Sequence, residues 1–134
     1  MHQLDVKIAF LNGFIEEEVY VEQHKGFKIH NRETHVCKLK KSLYGIKQAP
    51  RAWYAQIDNY LMSLGFTKSD VDANLYFKLV KGKPLILLLY VHDLFVTIAK
   101  NLNVQCKKEL ILEFEMKDLG LMHYYLGLEI WQKP

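Results

Sequence analysis

The sequence predicts an α+β fold: a mainly antiparallel sheet with helices packed on one face. Three observations carry this. Residues 74–80 (NLYFKLV) and 85–91 (LILLLYV) are apolar, β-branched and aromatic runs separated by the turn signal KGKP, which reads as a hairpin. Between Pro50 and Gly65, Trp53, Ile57, Tyr60, Leu61 and Leu64 recur at helical spacing. The order of elements is strand, strand, helix, three strands, helix, strand, without the strict alternation of a parallel α/β sheet.

Taken in order, residues 3–11 (QLDVKIAFL) read as a strand that passes into a turn at Asn12-Gly13. Residues 19–23 alternate and form a short strand. Residues 35–43 alternate Val36, Lys38 and Lys40 against Cys37, Leu39 and Lys41, a strand with one wet face. Pro50 suits the first turn of the helix, and Gly65 is placed to end it. Pro84 opens the second hairpin strand, where it removes no central ladder bond. Residues 94–99 (LFVTIA) make a third strand. Residues 103–115 are helical in composition, with Val104, Ile111 and Phe114 as the expected buried edge. A turn is expected at Asp118–Gly120, followed by strand-like residues over 123–131, where Gly127 reads as a bulge.

The 134 residues suffice for one domain. A net charge of +3 is too small to imply a nucleic-acid partner by itself, so the placement of charge decides. Cys37 and Cys106 are far apart and lack metal-ligand spacing, which reads as two buried free thiols in a reducing compartment. No stretch reaches the roughly 18 apolar residues of a membrane span. The N-terminus has no signal-peptide pattern. Both ends run directly into strand-like sequence, so the chain is expected to be a piece of a longer protein.

Two acids stand out in apolar surroundings: Asp5 near the end of the first strand, and Asp93 in the tight turn of LLLYVHDLFV. Carboxylates are rarely buried without a partner. Two strands that bring them to one sheet edge would form a hard-oxygen site suited to Mg²⁺. Read alone, Asp93 is more simply a turn residue.

The segments LDVKIAFLNG, VCKLKKSLYGIKQAPRAWY, LGF, NLYF, LLLYVHD and FEMKDLG…YYLGLEI occur in the order found in copia-type long-terminal-repeat retrotransposon reverse transcriptases. The chain resembles that family of RNA-directed DNA polymerases from Gln3 to Ile130. The resemblance implies a polymerase palm over residues 1–134, one partial domain with fingers, most of the thumb and RNase H absent. It also implies two-metal nucleotidyl transfer with Mg²⁺, Mn²⁺ being possible. Its partners would be an RNA or DNA template-primer, deoxynucleoside triphosphates and the rest of a retrotransposon polyprotein. Its place would be intracellular, in a cytoplasmic particle or the nucleus, with no membrane.

By that resemblance, Asp5 opens the first catalytic motif and Tyr90-Val91-His92-Asp93 stands where Tyr-x-Asp-Asp is usual. Asp93 matches the second acid of the pair, and His92 occupies the place of the first. Asp5 and Asp93 are the expected metal ligands. An imidazole offers one softer nitrogen and no negative charge, so weak or absent polymerase activity is expected. Phe10 matches the aromatic that underlies the incoming sugar and rejects a 2′-hydroxyl, or is simply a core residue. Tyr44, Gly45 and Gln48 match the segment that packs against the template base and nucleotide, and Tyr90 joins them as a substrate contact. DLG and YLGLEI fall near the expected primer-grip hairpin.

No acid lies between Glu33 and Asp58, whereas Lys38, Lys40, Lys41, Lys47 and Arg51 do, with Trp53 and Tyr54 close by. These cations suit phosphate contacts or an ordinary solvated face. A non-catalytic nucleic-acid-binding module and a functionless relic of a transposable element are the rival readings.

Overall fold

Hairpins and short turns build the sheet of this protein, as a computed structural model that describes residues 1–97 and 103–133 shows. The described strands are β1 (His2–Val6), β2 (Tyr20–Glu22), β3 (Val36–Lys38), β4 (Thr67–Lys68), β5 (Leu75–Val80), β6 (Lys83–Tyr90), β7 (Asp93–Val96), β8 (Met116–Leu121), β9 (Tyr124–Tyr125) and β10 (Leu128–Glu129). The helices are α1 (Ala9–Asn12), α2 (Ala49–Ser63) and α3 (Asn103–Phe114). Two compact units divide them: Met1–Ala9 with the described residues from Ile57 onward, and Phe10–Gln56.

The first unit holds a six-stranded sheet in the order β4-β5-β6-β7-β1-β8, with every neighbouring pair antiparallel. Its register sorts side chains onto two faces. Leu4 lies opposite Leu94, Leu94 opposite Leu89, and Val96 opposite Leu87; all of these are buried. Tyr76 is the partner of Leu87 on the same face, and its hydroxyl donates to Asp58 Oδ1 of α2 at 2.6 Å. This face therefore meets α2 at Asp58. Tyr60 of α2 sets its ring edge against Phe114 of α3 at 5.1 Å and donates to the Glu109 carbonyl. Each large apolar side chain buried here contributes roughly 1.5–3 kcal/mol. The α+β expectation, with an antiparallel sheet, is met.

The α2 stripe forms as its spacing predicts, with Trp53, Ile57 and Leu61 fully buried. The helix ends at Gly65, whose φ of 83° only glycine adopts without strain. Phe66 N–H bonds to Leu61 O and Gly65 N–H to Met62 O, the paired bonds of a Schellman cap.

Several expectations are corrected. The strand expected over 3–11 stops at Val6 because its neighbours stop there: Asp5 pairs with the first residue of β7, and Val6 with the first of β8. Beyond it Ile8 takes a φ of 48° and the chain turns into α1. β3 is wet on both faces, since a two-stranded ribbon with β2 buries neither. The buried stripe of α3 is Cys106, Leu110 and Phe114, at i, i+4 and i+8; Val104 is exposed and Ile111 half-buried.

Asp118–Gly120 is no chain reversal. β8 runs through it with a bulge opposite Gln3 and Leu4, and Asp118 Oδ1 accepts from Gly120 N–H. Residues 123–131 form not one strand but a tight hairpin, β9 and β10 joined by Leu126-Gly127. Cys37 is an exposed free thiol, while Cys106 is buried, and burial raises its pKa. In the third hairpin strand, residues 98 and 99 lie outside the described residues.

In the second unit, β2 pairs with β3, and Phe14 bridges to Lys41. The Ser42 hydroxyl donates to the Phe10 carbonyl, and Ser42 N–H bonds to Gly13 O. Gly13 lies against the first turns of α2. A Cβ built there would sit 2.5 Å from the Ala52 carbonyl carbon and 2.6 Å from the Trp53 nitrogen. The sequence suggested a turn glycine; its role is close backbone approach.

Candidate metal centre

Asp5 and Asp93 are register partners across β1 and β7, so their side chains leave the sheet side by side. They lie on the face opposite Leu4 and Leu94. The β6–β7 turn adds His92. His92 Nδ1 stands 3.1 Å from Asp5 Oδ1 and 3.9 Å from Asp93 Oδ2. One ligand atom from each of the three residues lies within 4.8 Å of the other two.

Backbone and side-chain bonds fix this geometry. Val6 N–H bonds to His92 O at 2.9 Å, tying the end of β1 to the turn. Gln3 Nε2 donates to Asp93 Oδ1 at 3.0 Å, which leaves Oδ2 turned toward the imidazole. The turn itself holds Val91 at a φ of 54°, unusual for a β-branched residue. Asp93 is the most enclosed of the three, with 17% of its side chain exposed; Asp5 and His92 are more open, at 37% and 54%. A donor set of two carboxylates and one imidazole fits one divalent cation.

Beside the cluster, Tyr90 is exposed and packs edge-on against Tyr125 at 5.9 Å, and Tyr125 stacks edge-on over buried Phe95 at 4.6 Å. Burial, with Tyr90 and the Asp93 charge, raises the Tyr125 pKa. Its buried hydroxyl has no hydrogen-bond partner among the described residues. Sequence reasoning missed both Gln3 and Tyr125. Gln3 was findable: two residues before Asp5 on a strand, it must share Asp5's face. Tyr125 carried no comparable signal.

The other expected site residues lie in the second unit. Phe10 meets Tyr44 edge-on, with ring centroids 5.5 Å apart. Gly45 takes a φ of 87°, and Gln48 O accepts from Ala52 N–H as α2 begins. Of the five cations, Lys38 pairs with Glu18 at 2.5 Å and Arg51 pairs with Glu17. Lys41 lies over the Phe14 ring at 5.2 Å. Among the described residues, Lys40 and Lys47 form no ion pair. The acidic run Glu16–Glu18 is counter-charge that the stretch from Glu33 to Asp58 could not reveal. No described helix is long and apolar enough to cross a membrane.

Comparison with known proteins places the chain. A family model described as reverse transcriptase (RNA-dependent DNA polymerase) matches residues 1–134. The chain is 47% identical over 132 residues to the retrovirus-related Pol polyprotein from transposon TNT 1-94 of Nicotiana tabacum, covering 97% of this chain and 10% of that protein. It is 43% identical over 136 residues to the corresponding polyprotein from transposon RE1 of Arabidopsis thaliana, covering 100% of this chain and 9% of that one. A putative transposon Ty5-1 protein of Saccharomyces cerevisiae is 37% identical over 130 residues, 96% of this chain and 42% of its own length. The chain thus spans about a tenth of the plant polyproteins it matches. No solved structure matches. Motif order, antiparallel sheet and whole-length match agree that the chain belongs to the copia-type retrotransposon family of reverse transcriptases.

Proposed function

We propose that this chain is the palm segment of a retrotransposon reverse transcriptase, with Asp5 and Asp93 as its catalytic metal ligands, and that His92 leaves it weak as a Mg²⁺-dependent polymerase. The observation that carries the reading is the register pairing of Asp5 with Asp93 in a member of this family. Divalent cations, when bound, would neutralise phosphate charge and activate the primer 3′-hydroxyl. The chain's own part is to supply two carboxylates held in register at the exposed end of β1 and β7, open to phosphates. Gln3 keeps Asp93 oriented. Phe10 would exclude a 2′-hydroxyl. Tyr44, Gly45, Gln48 and Tyr90 would line the nucleotide and template base.

His92 withholds the negative charge and the second oxygen that a bridging carboxylate would give. When protonated it would repel the cations. Loss of one such interaction costs roughly two to four powers of ten in rate. Template-primer, deoxynucleoside triphosphates and the remaining polyprotein are the partners this reading implies.

Primer extension with Mg²⁺ tests it, with residues 1–134 replacing the matching segment of the tobacco polyprotein. The His92→Asp form should extend primers at least about a hundredfold faster than the histidine form. Equal rates overturn the account of position 92, and activity that survives Asp5→Asn overturns the site. A second reading, a metal-independent nucleic-acid-binding module, draws on Lys40 and Lys47, which form no ion pair among the described residues. It predicts salt-sensitive duplex binding that ignores chelators.

A further inference from the structure

We propose that Asp5, His92 and Asp93 form a single-ion site that selects a borderline transition-metal ion of the Zn²⁺ and Co²⁺ class over Mg²⁺. The proposal rests on the reading of this end of the β1–β7 pair as the metal-holding end of the palm, and it changes which ion that end takes.

The donor atoms decide it. Zn²⁺ binds imidazole nitrogen and carboxylate oxygen at about 2.0–2.2 Å, which in a tetrahedron separates neighbouring donors by about 3.3–3.6 Å. His92 Nδ1 and Asp5 Oδ1 are 3.1 Å apart, and His92 Nδ1 and Asp93 Oδ2 are 3.9 Å apart. Small side-chain adjustments bring both spacings into that range. The two carboxylates are held by the β1–β7 register, and Asp93 further by Gln3. The turn carrying His92 is tied to Val6. Three protein donors leave a fourth position on the open side, as in catalytic zinc sites.

Mg²⁺ fares worse at the same place. It demands hard oxygens, sheds water reluctantly and gains little from an imidazole. Two ions fare worse still, because a neutral nitrogen cannot bridge them as a third carboxylate would. His92 therefore acts as a ligand that exchanges one ion preference for another.

Titration of the 134-residue chain with Co²⁺, followed by visible absorption, reads this directly. The expected result is one equivalent bound with the intense bands of a four-coordinate site, displaced by stoichiometric Zn²⁺ but not by millimolar Mg²⁺. His92→Ala should abolish those bands and weaken binding at least about tenfold. Asp5→Asn should do the same, with circular dichroism confirming that both variants fold. Co²⁺ held by exposed His24, His30 or His35 survives in His92→Ala and is subtracted. His92→Asp should let Mg²⁺ displace Co²⁺. Binding unchanged in His92→Ala, or Mg²⁺ displacing Co²⁺ from the unmodified chain, overturns the proposal. The titration needs no primer or nucleotide. If Co²⁺ binds as described while the His92→Asp chimera extends no primer, the polymerase reading fails and the ion preference stands.

Discussion

Gln3 Nε2 donates to Asp93 Oδ1 at 3.0 Å, from the residue two places before Asp5 on the same strand face. One carboxylate oxygen is thereby occupied, and the other faces His92. Gln3→Ala should leave the fold intact at a cost of about 1 kcal/mol, the net worth of a hydrogen bond to a part-buried acceptor. It should also weaken ion binding by about ten- to a hundredfold, as loss of an outer-shell partner does. Denaturant midpoints and the Co²⁺ titration measure the two effects. Unchanged ion affinity would mean that Asp93 is oriented by its backbone alone.

Gly13 gives a prediction free of the site. A methyl group there would lie under 3 Å from backbone atoms of Ala52 and Trp53. Backbone cannot swing aside as a side chain can, so α2 or the strand-like segment must shift. Gly13→Ala should cost about 2–3 kcal/mol, at the upper end of the overpacking range. Gly65→Ala, strained only through its positive φ, should cost nearer 1 kcal/mol. Urea unfolding of both variants tests the ordering; Gly13→Ala no worse than Gly65→Ala would contradict the close approach.

These two glycines show what was legible in the sequence. Gly65 follows an unbroken helical stripe, and local rules suffice to make it a cap. Gly13 follows Asn12, a pair that signals a turn, but its real constraint comes from a helix some forty residues away. The same division runs through the site. Asp5, His92 and Asp93 were readable because an acid amid apolar strand residues is conspicuous, and the motif order set them in one family. That Val6 ends its strand depends on where β7 and β8 begin, which no local pattern records. The α3 stripe was misread because Val104, Ile111 and Phe114 share no narrower arc than Cys106, Leu110 and Phe114, and only packing chooses between them.

Acid should destabilise the protein in two stages. Burial, then the Lys107 ammonium, lowers the His2 pKa despite the nearby Asp118 carboxylate. The unfolded chain then takes up that proton first, so stability falls as pH drops below about 6.5. Burial pushes Asp58 and Asp118 up, but their partners outweigh it. The Tyr76 hydroxyl and Lys68 act on Asp58, and Lys107 with the Gly120 N–H acts on Asp118, so both pKa values end below the ordinary one. Their contribution is complete above about pH 4 and is lost as pH falls through the lowered values. Urea midpoints between about pH 7 and 3 should show both declines. His2→Gln should flatten the first, and Asp118→Asn should reduce the second. A midpoint that rises on acidification would reverse the sign of the argument.

Val91 stands at the first central position of the two-residue turn between Tyr90 and Asp93, with a φ of 54°. A positive φ at that position of a two-residue hairpin turn normally falls to glycine. For an L-residue the left-handed region costs about 1–2 kcal/mol, and β-branching makes it worse. Val91→Gly removes that strain but adds about 0.5–1 kcal/mol of backbone entropy to the unfolded chain. The balance lies between neutral and about 1 kcal/mol of stabilisation. The site should respond in the opposite sense. A glycine frees the turn that carries His92, so its nitrogen is held less firmly beside Asp5 and ion affinity drops. A variant equally or more stable in urea, yet weaker in the Co²⁺ titration, identifies strain kept in the turn for the sake of its ligand. Val91→Gly that loses 1 kcal/mol or more would show instead that the valine side chain stabilises the turn despite its φ.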